Sequence, residues 1–322
     1  MTPKIDDALL QAQLHRTLDG THLALAGRYE GKVRDNYSDG KHRILVATDR
    51  LSAFDVVLGT IPWKGQVLNQ LSAFWFEQTR AVAPNHLVAV PDPNVTMALE
   101  CRPLPVEMVV RAYLTGVTDT SIWRRYQAGE RRFGDVTLGE NLKKNEPLPQ
   151  VAVTPTTKAE RGGHDENVTR DELIRRNAVD AETWARMETL CLALFAVGQA
   201  HAQQRGLILV DTKYELGWAP DGSLVFIDEI HTPDSSRYWH ADDYEARLSR
   251  GEEPRSLDKE YVRRHYASIG YTGHGPPPPI PDDVRIEAAR RYIAAYELLT
   301  GIDFVPDTQD PIPRIERNLH LA

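Results

Sequence analysis

Apolar residues recur at helical spacing in three stretches of the chain. Val67, Leu68, Leu71, Phe74 and Trp75 predict a helix over residues 66–80, with Pro84 shortly beyond. A longer helix is predicted over 181–204, where Gly206 stands at the position of a C-terminal stop. A third spans 282–299, with Val284, Ala288, Tyr292 and Leu299 among its apolar positions and Gly301 as its stop. Ahead of the long helix, Thr169-Arg170-Asp171-Glu172 fits a capping box, in which the hydroxyl and the carboxylate each satisfy a backbone N–H. A fainter pattern at Ala8, Leu9, Ala12 and Leu14 is compatible with a short helix over 7–17.

Strand-like runs fill the intervals. Residues 43–48 (RILVAT) follow an Asp39-Gly40 turn that suits a hairpin. Residues 56–60 form a second short candidate. Residues 106–113 (VEMVVRAY) read as a buried strand that begins after Pro103 and Pro105. Farther on, apolar strands over 207–211 and 223–230 flank an intermediate extended segment, and Pro220-Asp221-Gly222 turns into the second of them. The prolines at 276–279 read as a stiff linker. There is no internal repeat. The pattern predicts an α+β fold, with a β-rich N-terminal lobe over 1–105 and a larger C-terminal lobe over 106–322.

Bulk properties narrow the function. A chain of 322 residues suits one large or two packed domains, at roughly 100 to 200 residues each. The net charge of −8 argues against a general nucleic-acid binder, because a phosphate backbone rewards a basic face. It leaves room for a local basic pocket. The two cysteines, Cys101 and Cys191, lie too far apart in sequence for a metal knuckle and read as buried, reduced thiols. The longest apolar run, residues 190–197, falls short of the ~20 residues that span a bilayer, and the N-terminal stretch has no apolar core. Cytoplasm is the expected location.

Six clusters could carry chemistry. In residues 27–35, Gly31 and its neighbours Lys32 and Arg34 could bring backbone amides and positive charge to a phosphate, although an ordinary charged hairpin has the same composition. Ser52 and Asp55 follow a strand exit and could bind an oxyanion and an ammonium; a capped turn explains them equally. Arg111 ends an apolar strand and is followed by Thr115-Gly116 and Ser121, which suggests phosphate or carboxylate binding, or a structural ion pair. Lys158 lies in a loop of hydroxyls and charge that continues into Gly162-Gly163-His164, fitting either a mobile cover or a solvated surface. Lys213 and Glu215 alternate along an extended segment and so share a face. With Asp228 on the returning strand, two carboxylates could share Mg²⁺ while Lys213 steadies a transferring phosphoryl group, unless the cluster is a salt-bridge knot. Ser235, Ser236 and Arg237 make an anion cradle or a capped turn. Spacing alone indicates an ATP- or phosphate-using enzyme with Mg²⁺.

These segments together resemble the SAICAR synthetase (phosphoribosylaminoimidazole-succinocarboxamide synthase) family. The matching stretches are GKVRDNY, ATDRLSAFDV, IPWKGQVLNQLSAFWF, PVEMVVRAYLTG, TPTTKAE with GGHDEN, LVDTKYELG and FIDEIHTPDSSRYW, in this order. The resemblance implies a small β-rich lobe over a larger ATP-grasp-like α/β lobe. It implies a ligase that joins carboxyaminoimidazole ribotide (CAIR) to L-aspartate, with ATP as co-substrate and Mg²⁺ as metal. By the same resemblance Lys32, with Gly31 and Arg34, contacts the ATP phosphates, and backbone around Glu107 faces adenine. Glu215 and Asp228 hold Mg²⁺ beside Lys213. Arg111, Ser121 and Arg237 bind the ribotide phosphate. Ser52, Asp55 and Lys158 belong to the imidazole or aspartate side. The sequence departs from the family pattern at Ala112, where glycine is expected. Val117-Thr118-Asp119-Thr120 also precede Ser121, so Thr118 or Thr120 stands as an alternative hydroxyl. A small-molecule kinase is the rival enzyme, disfavoured by the lack of HRD-type and DFG motifs. A non-catalytic nucleotide-binding regulator is the rival of another class. The oligomeric state, monomer or homodimer, stays open.

Overall fold

A computed structural model describes residues 5–321 except 55, 119, 159–165, 258 and 272. Asp55, Asp119 and His164, singled out from the sequence, lie outside the described residues. The architecture is α+β, built on two antiparallel sheets. The first runs in the order Tyr29–Glu30, Arg34–Ser38, His42–Ala47, Val95–Leu99, Leu87–Asp92. The second runs Pro147–Val153, Arg102–Tyr113, Leu207–Trp218, Leu224–Ile227, with Thr156–Thr157 beside Arg102–Tyr113 and Ser236–His240 beside Leu207–Trp218.

Local chemistry explains the elements that sequence predicted. Helix Ala181–Gln204 starts where Asp180 accepts a hydrogen bond from the Thr183 amide at 2.7 Å, and Gly206 beyond it has φ 69°. Thr169 and Glu172 form the capping box in full. Helices Lys64–Gln78 and Asp282–Thr300 match their predicted spans closely. Several elements differ, among them the strand expected over 106–113, which is Arg102–Tyr113 and includes Pro103 and Pro105. The expected helix over 7–17 is the shorter Asp7–Gln13. The hairpin Leu87–Asp92/Val95–Leu99 escapes the pattern because Pro91 and Pro93 interrupt it; an edge strand tolerates proline, and Leu87–Asp92 is an edge. Leu207–Trp218 is one unbroken strand of 12 residues rather than a strand with a separate extended segment. Its charged members alternate with apolar ones, so the ladder continues through them.

That alternation organises the second sheet. Val106, Met108 and Val110 of one central strand, and Tyr214 and Leu216 of the other, join Trp184, Met187, Cys191, Leu194 and Phe195 of the long helix in the main hydrophobic core. The intervening residues point away from the helix. Register pairs Arg111 with Asp211, Val109 with Lys213 and Glu107 with Glu215. One face of the sheet is thus a dry core, and the other is lined with charge.

The expected division at 105/106 falls within strand Arg102–Tyr113. C-terminal elements also pack against the first half of the chain. Val284, Tyr292 and Phe304 share a core with Leu10, Leu51, Val67 and Leu68. Helix Pro311–Asn318 contributes Ile315 to a cluster with Leu18, Tyr37 and Val46. Its Arg314, buried, donates to both carboxylate oxygens of Asp92 at 2.9 and 3.0 Å and to Asn94 at 2.6 Å. Removing one partner of such a pair strands a charge away from water. Arg314→Ala is therefore expected to cost about 3 kcal/mol in urea unfolding. A loss below about 1 kcal/mol would mean that Asn94 and Asn318 satisfy Asp92 unaided.

Candidate active site

The charged face of the second sheet opens into two cavities. The first, about 380 Å³, lies between the two sheets. Gly31, Lys32 and Arg34 line it from the first sheet; Glu107, Lys213 and Glu215 face them from the second. Leu45, Leu99, Pro103 and Ile227 give it an apolar portion. Glu215 pairs in register with Ile227, so Asp228 emerges beside it just past the end of the neighbouring strand. Asp228 has φ 67°, in the left-handed region that aspartate tolerates better than most residues.

Ion pairs fill the polar half of this cleft. Lys213 Nζ lies 2.6 Å from Glu107 Oε1 and 2.9 Å from Glu215 Oε1. Lys158 donates to the other oxygen of Glu215. Arg34 bonds Asp228 and also Glu229, the latter at 2.6 Å. Burial by itself would lower the Lys213 ammonium, yet the Glu215 and Glu107 carboxylates outweigh it and hold its pKa well above the ordinary value. Burial likewise pushes Glu215 up, and Lys213 and Lys158 overcome it, leaving the pKa at about 2. Backbone at 107–109 is paired on both sides, to Leu207–Trp218 and to the segment at 154–157. Glu107 offers its side chain to the cleft.

The second cavity, about 200 Å³, is a cradle lined by Arg111 and Arg237. Arg111 and Arg237 both donate to one oxygen of Asp211, at 3.2 and 2.9 Å. Arg111 also donates to Thr154 Oγ1 at 2.9 Å. Burial pulls the Arg111 pKa down from its ordinary value, with Asp211 acting against it. Fixing two guanidinium groups on a single carboxylate orients their remaining N–H donors, a geometry suited to phosphate. Ser121 lines the cradle while capping helix Ile122–Gln127, and Thr118 and Thr120 line it too. All three alternative hydroxyls are thus at hand. Lys213 lines both cavities.

The family model described as "SAICAR synthetase" matches residues 27–277, most of the chain. The chain belongs to the SAICAR synthetase family. It is 45% identical over 309 residues to the phosphoribosylaminoimidazole-succinocarboxamide synthase of Legionella pneumophila (strain Lens), covering 94% of this chain and 96% of that one. The chloroplastic synthase of Arabidopsis thaliana is 45% identical over 322 residues, or 99% of this chain and 78% of the relative. Among solved structures, the SAICAR synthase from Saccharomyces cerevisiae complexed with SAICAR superposes with a TM-score of 0.78 at 29% identity, covering 89% and 99% of the two chains. A SAICAR synthetase solved in complex with ADP shares the fold at a TM-score of 0.65 and 23% identity, covering 86% of this chain and 99% of that one.

The SAICAR synthetase fold gathers Gly31, Lys32, Arg34, Glu107, Lys158, Lys213, Glu215 and Asp228 in one cavity of this chain, and Arg111, Ser121 and Arg237 in the other. Ser52, on strand Arg50–Ala53, lines neither. Sequence reading assigned Glu229 and Asp234 no role of their own and did not point to Lys259 or Arg263, which line the second cavity. Asp234 lines the cradle and is held by Lys64 at 2.8 Å and by the Tyr292 hydroxyl at 2.6 Å. Burial would raise its carboxyl, but Lys259 and Lys64 keep it far below the usual range. Lys64 is fully buried. Nothing in its first-turn helix position signals that, because its partner lies 170 residues away. Among the described residues no group of three or more His, Cys, Asp or Glu gathers to hold a metal, and no helix is long and apolar enough to cross a membrane.

The depressed Glu215 carboxyl has a consequence for stability. Above the ordinary glutamate value of 4.5, the ion pairs contribute fully; their contribution is lost as pH falls from there through about 2. In denaturant titrations, the stability difference between the native chain and Glu215→Gln is expected to be flat above about pH 5 and to shrink below about pH 4. A difference that grows on acidification would refute the ion-pair assignment.

Proposed function

We propose that this chain condenses CAIR with L-aspartate at the expense of ATP, giving SAICAR, ADP and phosphate in purine biosynthesis. The observation that carries the reading is Lys213, whose side chain lines both the nucleotide-sized cleft and the two-arginine cradle. A group at that junction can meet a terminal phosphate of ATP from one side and the carboxylate of a cradled ribotide from the other.

The chemistry requires such a junction. Negative charge deactivates a carboxylate toward amines. Transfer of the γ-phosphoryl group to a carboxylate oxygen of CAIR gives an acyl phosphate and releases ADP. The aspartate amine then attacks the acyl carbon, the C–N bond forms, and phosphate leaves with the C–O electron pair as the amine loses its proton. Both steps develop charge on phosphoryl oxygens, which Lys213, Lys158, Lys32 and Arg34 are situated to offset. Arg111, Arg237 and the hydroxyl of Ser121 hold the 5′-phosphate and so fix the distance between ribotide and ATP. The apolar residues Leu45, Leu99, Pro103 and Ile227 suit the adenine ring.

Mg²⁺ belongs to the same proposal. Glu215 and Asp228 are hard oxygen donors lining one cleft, and Mg²⁺ takes one or two carboxylates together with phosphate oxygens and water. When bound, it would supply charge neutralisation at the phosphates, beside Arg34, Lys158 and Lys213, which pair with those carboxylates. A cytoplasmic location belongs to the proposal as well, since all three substrates are charged and water-soluble.

The direct test is steady-state ADP release with Mg-ATP, CAIR and L-aspartate, each omitted in turn. Release that needs all three, with SAICAR formed, supports the ligase. Release without aspartate would point to a kinase, and ATP binding without release to a regulator. Lys213→Ala is expected to lower kcat about a hundredfold or more in a protein that stays folded. Near-normal kcat would remove Lys213 from the mechanism. Arg237→Ala is expected to raise KM for the ribotide about tenfold with little change in KM for ATP. The reverse pattern would assign Arg237 to the nucleotide.

A further inference from the structure

The turn from Asp228 to Ser235 serves both cavities. Asp228 lines the nucleotide cleft, while Asp234 and Ser235 line the cradle. At its middle lies His231, fully buried and outside both cavities, with φ 56°. A non-glycine residue in that region is strained, and such strain persists only where its surroundings enforce it. Asp228 shares the strain at φ 67°.

The surroundings of His231 are specific. Its Nε2 is hydrogen-bonded to the hydroxyl of Tyr214, the core-facing neighbour of Lys213 and Glu215 on the central strand. Its carbonyl accepts from the Tyr238 hydroxyl at 2.9 Å. The ring stands edge-on to Trp75, with centroids 4.7 Å apart. On the remaining side lies Gly198 of the long helix, where a Cβ would come within 2.7 Å of the imidazole Nδ1. The glycine thus makes the space that the ring fills. Burial pulls the His231 pKa down to about 3, so the ring is neutral in ordinary buffers and is no proton donor to the reaction. Bonds within the turn carry its position outward in both directions. Glu229 accepts from Thr232 Oγ1 at 2.8 Å and pairs with Arg34 on the nucleotide side. The Asp234 amide donates to Thr232 Oγ1 at 3.2 Å, and the Ser235 carbonyl accepts from the Lys213 amide at 2.9 Å.

We propose that His231 is a positioning residue that sets the nucleotide cleft and the anion cradle relative to each other, by pinning the strained turn that carries Asp228 at one end and Asp234 and Ser235 at the other. The inference rests on the ligase reading for its purpose, since only a two-substrate transfer needs the two cavities in register. Its geometry is independent of that reading.

Two variants test it from behind the site. Tyr214→Phe removes one oxygen and leaves the packing; Gly198→Ala presses on the ring from the helix. Neither residue lines a cavity. Affinities for ADP and for ribose 5-phosphate are measured by calorimetry, beside KM for ATP and CAIR, and only on protein shown to be folded. Loss of one buried hydrogen bond sets the scale, and both affinities are expected to weaken together by about fivefold in Tyr214→Phe, with both KM values rising in parallel. Gly198→Ala is expected to do the same more strongly; if it does not fold, Tyr214→Phe decides alone. A purely structural role would lower the folded fraction and leave affinity per folded molecule unchanged, and that result overturns the proposal. Weakening of one ligand alone overturns it too. Native protein that binds both probes but forms no SAICAR would overturn the ligase reading, while parallel weakening in the variants would still support the coupling.

Discussion

The site depends on period-two alternation in a pair of neighbouring strands. Along Arg102–Tyr113, and from Asp211 to Leu216 on Leu207–Trp218, side chains that face helix Ala181–Gln204 alternate with Glu107, Arg111, Asp211, Lys213 and Glu215. The apolar face supplies the burial that keeps the strands in register. A slip of one residue in either strand would put two or three of these charges into a dry core. Packing on one side therefore enforces the arrangement of charge on the other, and the chemistry inherits its precision from the core.

Charge gathered this way must be balanced before any ligand arrives. Lys213 and Lys158 converge on Glu215, Arg34 spans Asp228 and Glu229, and Arg111 and Arg237 share Asp211. Each cation already has a carboxylate, which avoids the cost of an unpaired charge in a partly buried cleft. In the proposed function, anionic substrates compete for cations that are oriented beforehand. In that function this orientation would preorganise the site for charge that develops on phosphoryl oxygens.

Parts of the chain distant in sequence hold the frame around the two cavities. Lys64 at the start of one helix and Tyr292 on another both grip Asp234, and the Arg314–Asp92 pair fastens the last helix to the edge of the first sheet. The C-terminal helices thus brace the N-terminal half instead of forming a lobe apart. The strained turn at 228–235 is set into this frame, between Tyr214, Tyr238, Trp75 and Gly198.

Local chemistry made much of this legible in the sequence. Helical periodicity, the Thr169–Glu172 capping box and glycines beyond helix ends mark elements that form from interactions within a few residues. Strand alternation put Lys213 and Glu215 on one face, and the ordered motifs identified the family. Other features required tertiary structure, because their partners are far away in sequence. The double pairing of backbone at 107–109, the buried Lys64–Asp234 contact, the entry of Lys259 and Arg263 into the cradle and the position of Ser52 outside both cavities are all of this kind. By itself the sequence determined which residues could form strands, caps and charged faces, since those preferences act over a few residues of chain. Only the tertiary structure decided which charges meet and which are buried, since that depends on contacts between segments up to more than two hundred residues apart.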